Sequence, residues 1–232
     1  MNLILQTLSS PLLSEIVMDS ILDGVILDKE HGVFDNSQLV SCIQTVKLMN
    51  KKCFVRVTDL DRQLVRMCLD NGVDGIIFST IESIDQSKKN ISFCKYPKHG
   101  GSRGQALVRE NRWGKLPLGD SSPLIIAQIE TKKGVDNLEE IYNSGYDYFI
   151  IGPYDLSASL GCVGEWNNKK YLTYYEKIIG RIPISQLGIF LPKQEDIQHF
   201  LNTHNGPRPE IIIWGMDAMF LSEKIKSLEG II

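Results

Sequence analysis

Four short stretches of the chain carry polar side chains at or just beyond the ends of apolar runs. They are Asp28, Lys29, Glu30 and His31 after GVIL, Arg56 within FVRV, Gln128 and Glu130 in LIIAQIE, and Gly152, Pro153, Tyr154 and Asp155 after YFII. Glu130 and Asp155 follow consecutive apolar runs and offer two carboxylate ligands. That is the number a protein usually gives to Mg2+ or Mn2+ when substrate and water complete the octahedron. His31 stands three residues after Asp28, a spacing suited to a carboxylate that orients an imidazole for acid-base work. The other histidines, His99, His199 and His204, fall in or beside expected loops, and the last two do not have the i, i+4 spacing of a helical zinc pair.

These groups act together only if the fold brings the ends of the apolar runs to one place. Eight runs have strand character: LILQT from Leu3, GVILD from Gly24, CFVRV from Cys53, DGIIFS from Asp74, LIIAQIE from Leu124, YDYFIIG from Tyr146, LGIFL from Leu187 and EIIIWG from Glu210. Amphipathic segments separate them. In one, over 36–50, Leu39, Cys42, Ile43 and Val46 share a helix face; in another, over 59–71, Leu64, Val65, Cys68 and Leu69 do so. Asn36 and Asp59 are the expected N-caps, and Gly72 and Gly145 the expected left-handed stops. The expected fold is α/β, a single-domain (β/α)8 TIM barrel over residues 1–232, with about 29 residues per unit. A doubly wound open sheet is the rival. Strands apolar on both faces, with no Gly-rich turn after the first, favour the barrel. Barrel active sites lie at the C-terminal ends of the strands, where the polar residues above stand.

One stretch breaks the rhythm. Over about 94–123 no element is evident, and Lys95, Lys98, Arg103, Arg109, Arg112 and Lys115 outnumber Glu110 and Asp120. It reads as a long loop, functional or simply solvated.

Composition narrows the function classes. A net charge of -3 gives no field for holding nucleic acid or an anionic membrane surface. No run approaches the ~20 apolar residues of a membrane span, and no lysine or arginine precedes Lys29 to start a secretory signal. Five cysteines (Cys42, Cys53, Cys68, Cys94 and Cys162) lack CxxC spacing and read as buried small hydrophobes in a reduced compartment. The expected location is cytoplasmic, with small molecules rather than nucleic acid or membrane as partners.

The segments ILDKEHGVFDNSQL, FVRV, LDNGVDGIIF, YPKHGGSRG, IAQIETKKGVDNLEEI, GYDYFIIGPYDLSASLG and GMDAMFL together resemble the HpcH/HpaI aldolase family, the class II pyruvate aldolases, over nearly the whole chain. The resemblance implies a homo-oligomeric (β/α)8 barrel. It also implies a divalent metal (Mg2+, Mn2+ or Co2+), no organic cofactor, and cleavage or formation of a 4-hydroxy-2-oxo acid from pyruvate and an aldehyde. It places metal ligands at Glu130 and Asp155, the latter also beside substrate, the acid-base histidine at His31 and a transition-state arginine at Arg56. It further places a substrate contact at Gln128, a backbone contact for the pyruvate carboxylate at Tyr154, the carboxylate preceding the histidine at Asp28, and one that raises the histidine's basicity at Asp70.

The family's YPPxGxRG loop appears here as YPKHGGSRG, one residue longer and without its second proline, with Gln105 and Ala106 beyond it. That departure bears on the aldehyde side. Two other readings stand beside the aldolase. One is a citrate-lyase-like or phosphoenolpyruvate-handling enzyme on the same barrel, for which the basic 94–123 stretch is the only visible groove for a long nucleotide arm. The other is a non-catalytic binding barrel. Within the aldolase reading, a Schiff-base mechanism would fall to Lys29.

Overall fold

Runs such as GVILD and GIIF have too few polar residues to leave one face in water, so they are stable only where both faces are covered. A barrel ringed by helices does this. The computed structural model describes residues 1–58, 60–117, 122–203 and 206–228. The strands are β1 (Asn2–Gln6), β2 (Gly24–Asp28), β3 (Lys52–Val57), β4 (Gly75–Phe78), β5 (Leu124–Ile129), β6 (Tyr148–Ile151), β7 (Leu187–Phe190) and β8 (Ile211–Met216). All pair in parallel with their sequence neighbours, and β8 closes onto β1. The ring around them comprises α1 (Pro11–Met18), α2 (Asn36–Leu48), α3 (Arg62–Asp70), α4 (Ile84–Cys94), α5 (Lys132–Asp136), α6 (Leu138–Tyr142), α7 (Pro153–Ser159), α8 (Lys169–Arg181), α9 (Gln194–Thr203) and α10 (Asp217–Lys226). The chain is a single-domain (β/α)8 barrel.

Strand alternation splits the core in two. Val25, Leu27, Cys53, Val55, Ile125 and Ala127 face outward and pack under the helices. Leu3, Leu5, Ile26, Phe54, Ile77, Ile126, Ile150, Ile211 and Ile213 fill the interior. Truncating a fully buried plug residue such as Phe54 to alanine costs about 3–5 kcal/mol. Two residues beyond the interior layer the alternation returns inward, which puts Asp28, Arg56, Gln128 and Gly152 in the next layer, at the C-terminal mouth.

Local signals set the helix ends, with small shifts from expectation. Asp35, not Asn36, caps α2, accepting from the Gln38 N–H at 2.7 Å in a full capping box. Asp61 caps α3, while Asp59 lies outside the described residues. Gly72 (φ 87°) and Gly145 (φ 108°) take the left-handed conformation expected of them. All five cysteines are free and buried. Among the described residues no helix is long and apolar enough to cross a membrane.

The stretch after α4 contains two short 3-10 turns, Pro97–His99 and Arg109–Asn111. Arg103 anchors it. This buried guanidinium lies 4.5 Å over the Tyr96 ring and pairs with Asp70 at 2.9 Å and with Glu110. Because it joins the end of a helix to the start of a strand, the stretch leaves and rejoins the barrel at the face opposite the mouth.

Candidate active site

Asp28 and Arg56 are paired neighbours in the β2/β3 register and point the same way. Arg56 grips the fully buried Asp28 with two hydrogen bonds, from Nε to Oδ1 at 2.9 Å and from Nη2 to Oδ2 at 2.7 Å. Its third nitrogen, Nη1, lies 3.3 Å from Glu30 Oε2. Burial works against the Arg56 charge. The hydrogen bonds and charge of Asp28, with Glu30 and Glu130 beyond, outweigh it and hold the guanidinium above its ordinary value.

Asp28 also accepts from the Glu30 N–H at 3.1 Å. Its carboxylate is therefore committed to Arg56 and to the turn, and the expected partnership with His31 is not formed. The carboxylate beside His31 is instead Glu30, whose Oε2 lies 4.0 Å from Nε2. His31 itself is exposed at the rim. Glu30 is one of the strand-end residues of the sequence, and only the fold brings its carboxylate beside both His31 and Arg56. The turn from Asp28 to His31 is tight, because a Cβ on Gly32 would fall 2.2 Å from the Asp28 carbonyl oxygen.

Glu130, one residue past β5, is 98% buried. Oε1 accepts from the Thr80 N–H at 2.6 Å and from Thr80 Oγ1 at 2.9 Å, and Oε2 accepts from Gln128 Nε2. Burial, helped by the charges of Glu30 and Asp155 and opposed by the Thr80 hydrogen bond, pushes the Glu130 carboxyl up to about 7. Gly152 makes room for this arrangement. A Cβ there would lie 2.5 Å from Glu130 Oε2 and 2.8 Å from Gln128 Nε2.

Asp155 is an exposed residue in the first turn of α7, with Tyr154 before it. The first-turn N–H groups of any helix lack intrahelical partners and are ready donors to an anion. The mouth thus gathers four acidic side chains, Asp28, Glu30, Glu130 and Asp155, around one guanidinium. Glu30 Oε2 is buried without a hydrogen-bond partner. Such a donor set fits a hard divalent cation. Among the described residues no three His, Cys, Asp or Glu side chains form a ready-made metal cage, so water and substrate would supply the ligands beyond two carboxylates.

Two candidates lie elsewhere. Asp70 ends α3 and is held by Arg103, so within this chain it supports the α4–β5 stretch rather than His31. Lys29 donates from Nζ to the Phe34 carbonyl at 2.6 Å and serves the β2–α2 connection. The basic stretch is attached at the opposite face, and within it the Ser102 carbonyl accepts from Nη2 of Arg62, the first residue of α3, at 2.8 Å.

Comparison with known proteins bears on the family and the fold. The HpcH/HpaI aldolase/citrate lyase family model matches residues 4–222. A pyruvate aldolase of Rhizobium etli is 30% identical over 188 residues, 78% of this chain and 74% of that protein. A 2-keto-3-deoxy-L-rhamnonate aldolase of Escherichia coli O17:K52:H18 is 31% identical over 64% of this chain, and the match spans 58% of that protein. The crystal structure of an HpcH/HpaI aldolase/citrate lyase family protein from Burkholderia cenocepacia superposes with a TM-score of 0.86, covering 99% of this chain and 93% of the other at 23% identity. With the family model matched from the first strand to the last helix, the chain belongs to the HpcH/HpaI aldolase/citrate lyase family.

Proposed function

We propose that this protein is a divalent-metal-dependent carbon-carbon lyase of the class II pyruvate aldolase type, cleaving or forming a 4-hydroxy-2-oxo acid with pyruvate as one partner. The observation that carries this reading is the Glu130 carboxyl, buried at the mouth beside two further acids and pushed up to about 7. A buried carboxylate crowded by like charges is a liability for folding and an asset for holding a cation. Two family relatives, the pyruvate and 2-keto-3-deoxy-L-rhamnonate aldolases, support the substrate class.

Glu130 and Asp155 would hold the cation, which would supply Lewis acidity toward the keto group of the pyruvyl unit. Gln128, fixed against Glu130, borders the same space, and the Tyr154 N–H donates to the pyruvate carboxylate. Arg56, locked by Asp28, offsets the negative charge that develops on the enolate oxygen when the C3–C4 bond breaks. His31 takes the C4 hydroxyl proton in cleavage, directly or through one water, and the enolate then takes a proton at C3 from solvent water to give pyruvate; synthesis runs these proton transfers in reverse. Its exposure at the rim suits a group that meets the aldehyde half of the substrate.

Calorimetric titration with Mn2+ tests the ligand assignment. Wild type binds one equivalent, whereas Glu130→Gln and Asp155→Asn, both still folded, bind much more weakly. Equal affinity in all three proteins overturns the assignment.

A further inference from the structure

Thr80 has φ of +54°. A β-branched side chain enters the left-handed region only against a steric penalty, and such residues persist where surrounding contacts over-determine them. Packing does not account for this one, because Thr80 is exposed. Hydrogen bonds do. Gln86 Nε2 donates to the Thr80 carbonyl at 2.9 Å, the Ile81 N–H donates to the Gln128 carbonyl at 3.3 Å, and the Ser79 N–H donates to the Val57 carbonyl at 3.0 Å.

The helix after β5 closes on the same turn. A Cβ on Gly134 would fall 2.5 Å from the Ile81 carbonyl oxygen. Glu82 is tied to Thr131 at 2.9 Å and to Lys133 at 3.0 Å, and Asn137 Nδ2 donates to the Glu82 carbonyl at 2.8 Å. The turn after β4 is thus fastened to β5 and α5 on both sides of Glu130. What the strained residue delivers is a pair of donors to a single oxygen, its N–H at 2.6 Å and its Oγ1 at 2.9 Å from Glu130 Oε1.

We propose that Thr80 is the positioning residue of Glu130, held in a strained turn so that its N–H and hydroxyl together aim the carboxylate into the barrel mouth. Its hydroxyl is then specific machinery rather than a tolerated turn side chain. This inference deepens the reading of Glu130 as a metal ligand and rests on it for its consequence, not for its geometry. Partners that orient a ligand from behind are typically worth 10–100-fold in metal affinity.

The test compares Thr80→Val, which keeps the β-branched shape and loses the hydroxyl, with Thr80→Ser, which keeps the hydroxyl. Thr80→Ala serves as a second hydroxyl-less variant should the valine protein not fold. In metal-free crystals the Glu130 carboxylate is expected to be displaced in the valine or alanine protein and in place in the serine protein. By calorimetry, Mn2+ affinity is expected to fall 10–100-fold without the hydroxyl and to return in Thr80→Ser. A carboxylate that stays in place without the hydroxyl overturns the proposal. So does unchanged Mn2+ affinity in the valine or alanine protein when Glu130→Gln binds weakly. If Glu130→Gln binds Mn2+ as tightly as wild type, the metal reading has failed instead, and the metal-free crystals alone decide the role of Thr80.

Discussion

Arg56 and Asp28, register neighbours on β2 and β3, form a two-bond ion pair at 2.9 and 2.7 Å around a carboxylate with no exposure to solvent. The pair fixes the direction in which the guanidinium presents its remaining edge. Asp28→Ala would leave a largely buried arginine to the single, poorly aligned Glu30. Removing one partner of such a pair costs about 3–5 kcal/mol, so the urea midpoint should fall accordingly. Pyruvate release and oxaloacetate decarboxylation should both decline, because both need the same guanidinium. A variant as stable and active as wild type would show that the pair is dispensable.

His31 divides the two reactions. Its side chain is exposed, so His31→Ala should leave the unfolding midpoint unchanged. Aldol cleavage should fall by roughly 10²–10⁴-fold for a lost acid-base group. Oxaloacetate decarboxylation, which removes no hydroxyl proton, should fall far less. Assays of both reactions on the same metal-loaded preparation check this, and equal losses would remove His31 from proton transfer.

Glu130 makes the metal-free protein pH-sensitive. Its carboxyl stands at about 7 in the folded chain, against an ordinary 4.5, chiefly through burial. Between those values the folded state keeps a proton that the unfolded state has lost, so stability falls as pH rises, and the full penalty, on the order of 3 kcal/mol, is reached above pH 7. Urea denaturation of chelator-treated protein at pH 5 and pH 8 should show this loss in wild type and not in Glu130→Gln. Identical pH dependence in the two proteins would contradict it.

Gly152→Ala tests the space that Glu130 and Gln128 occupy. The added methyl would meet Glu130 Oε2 at 2.5 Å and Gln128 Nε2 at 2.8 Å, so one or both must move. Mn2+ affinity should drop while the circular dichroism spectrum is retained. Wild-type affinity would mean that the two side chains can shift without consequence.

The barrel was legible because its strands are unbroken apolar runs, as in GVILD, where every residue is buried. Their position at or just beyond the ends of those runs marked Asp28, Arg56, Gln128 and Gly152 for one mouth. What sequence could not supply was pairing. Asp28 is three residues from His31, yet the strand register hands it to Arg56 from a different part of the chain. Asp70 carries a family-matched position, but Arg103, 33 residues away, takes it. Thr80 left no signal, since a β-branched residue at positive φ runs against its own propensity and is set by contacts from three other segments. The 94–123 stretch was visible as basic and irregular, whereas its attachment opposite the mouth follows only from helix-to-strand connectivity.

On the reading proposed above, pyruvate chemistry in this protein depends on a divalent cation held by Glu130 and Asp155. Coupled pyruvate release from a panel of 4-hydroxy-2-oxo acids, with and without chelator, measures it most directly. Activity on at least one member should vanish on chelation, return with Mg2+, Mn2+ or Co2+, and not return in Glu130→Gln. Activity that survives complete chelation, with pyruvate trapped on a lysine by borohydride, would contradict it.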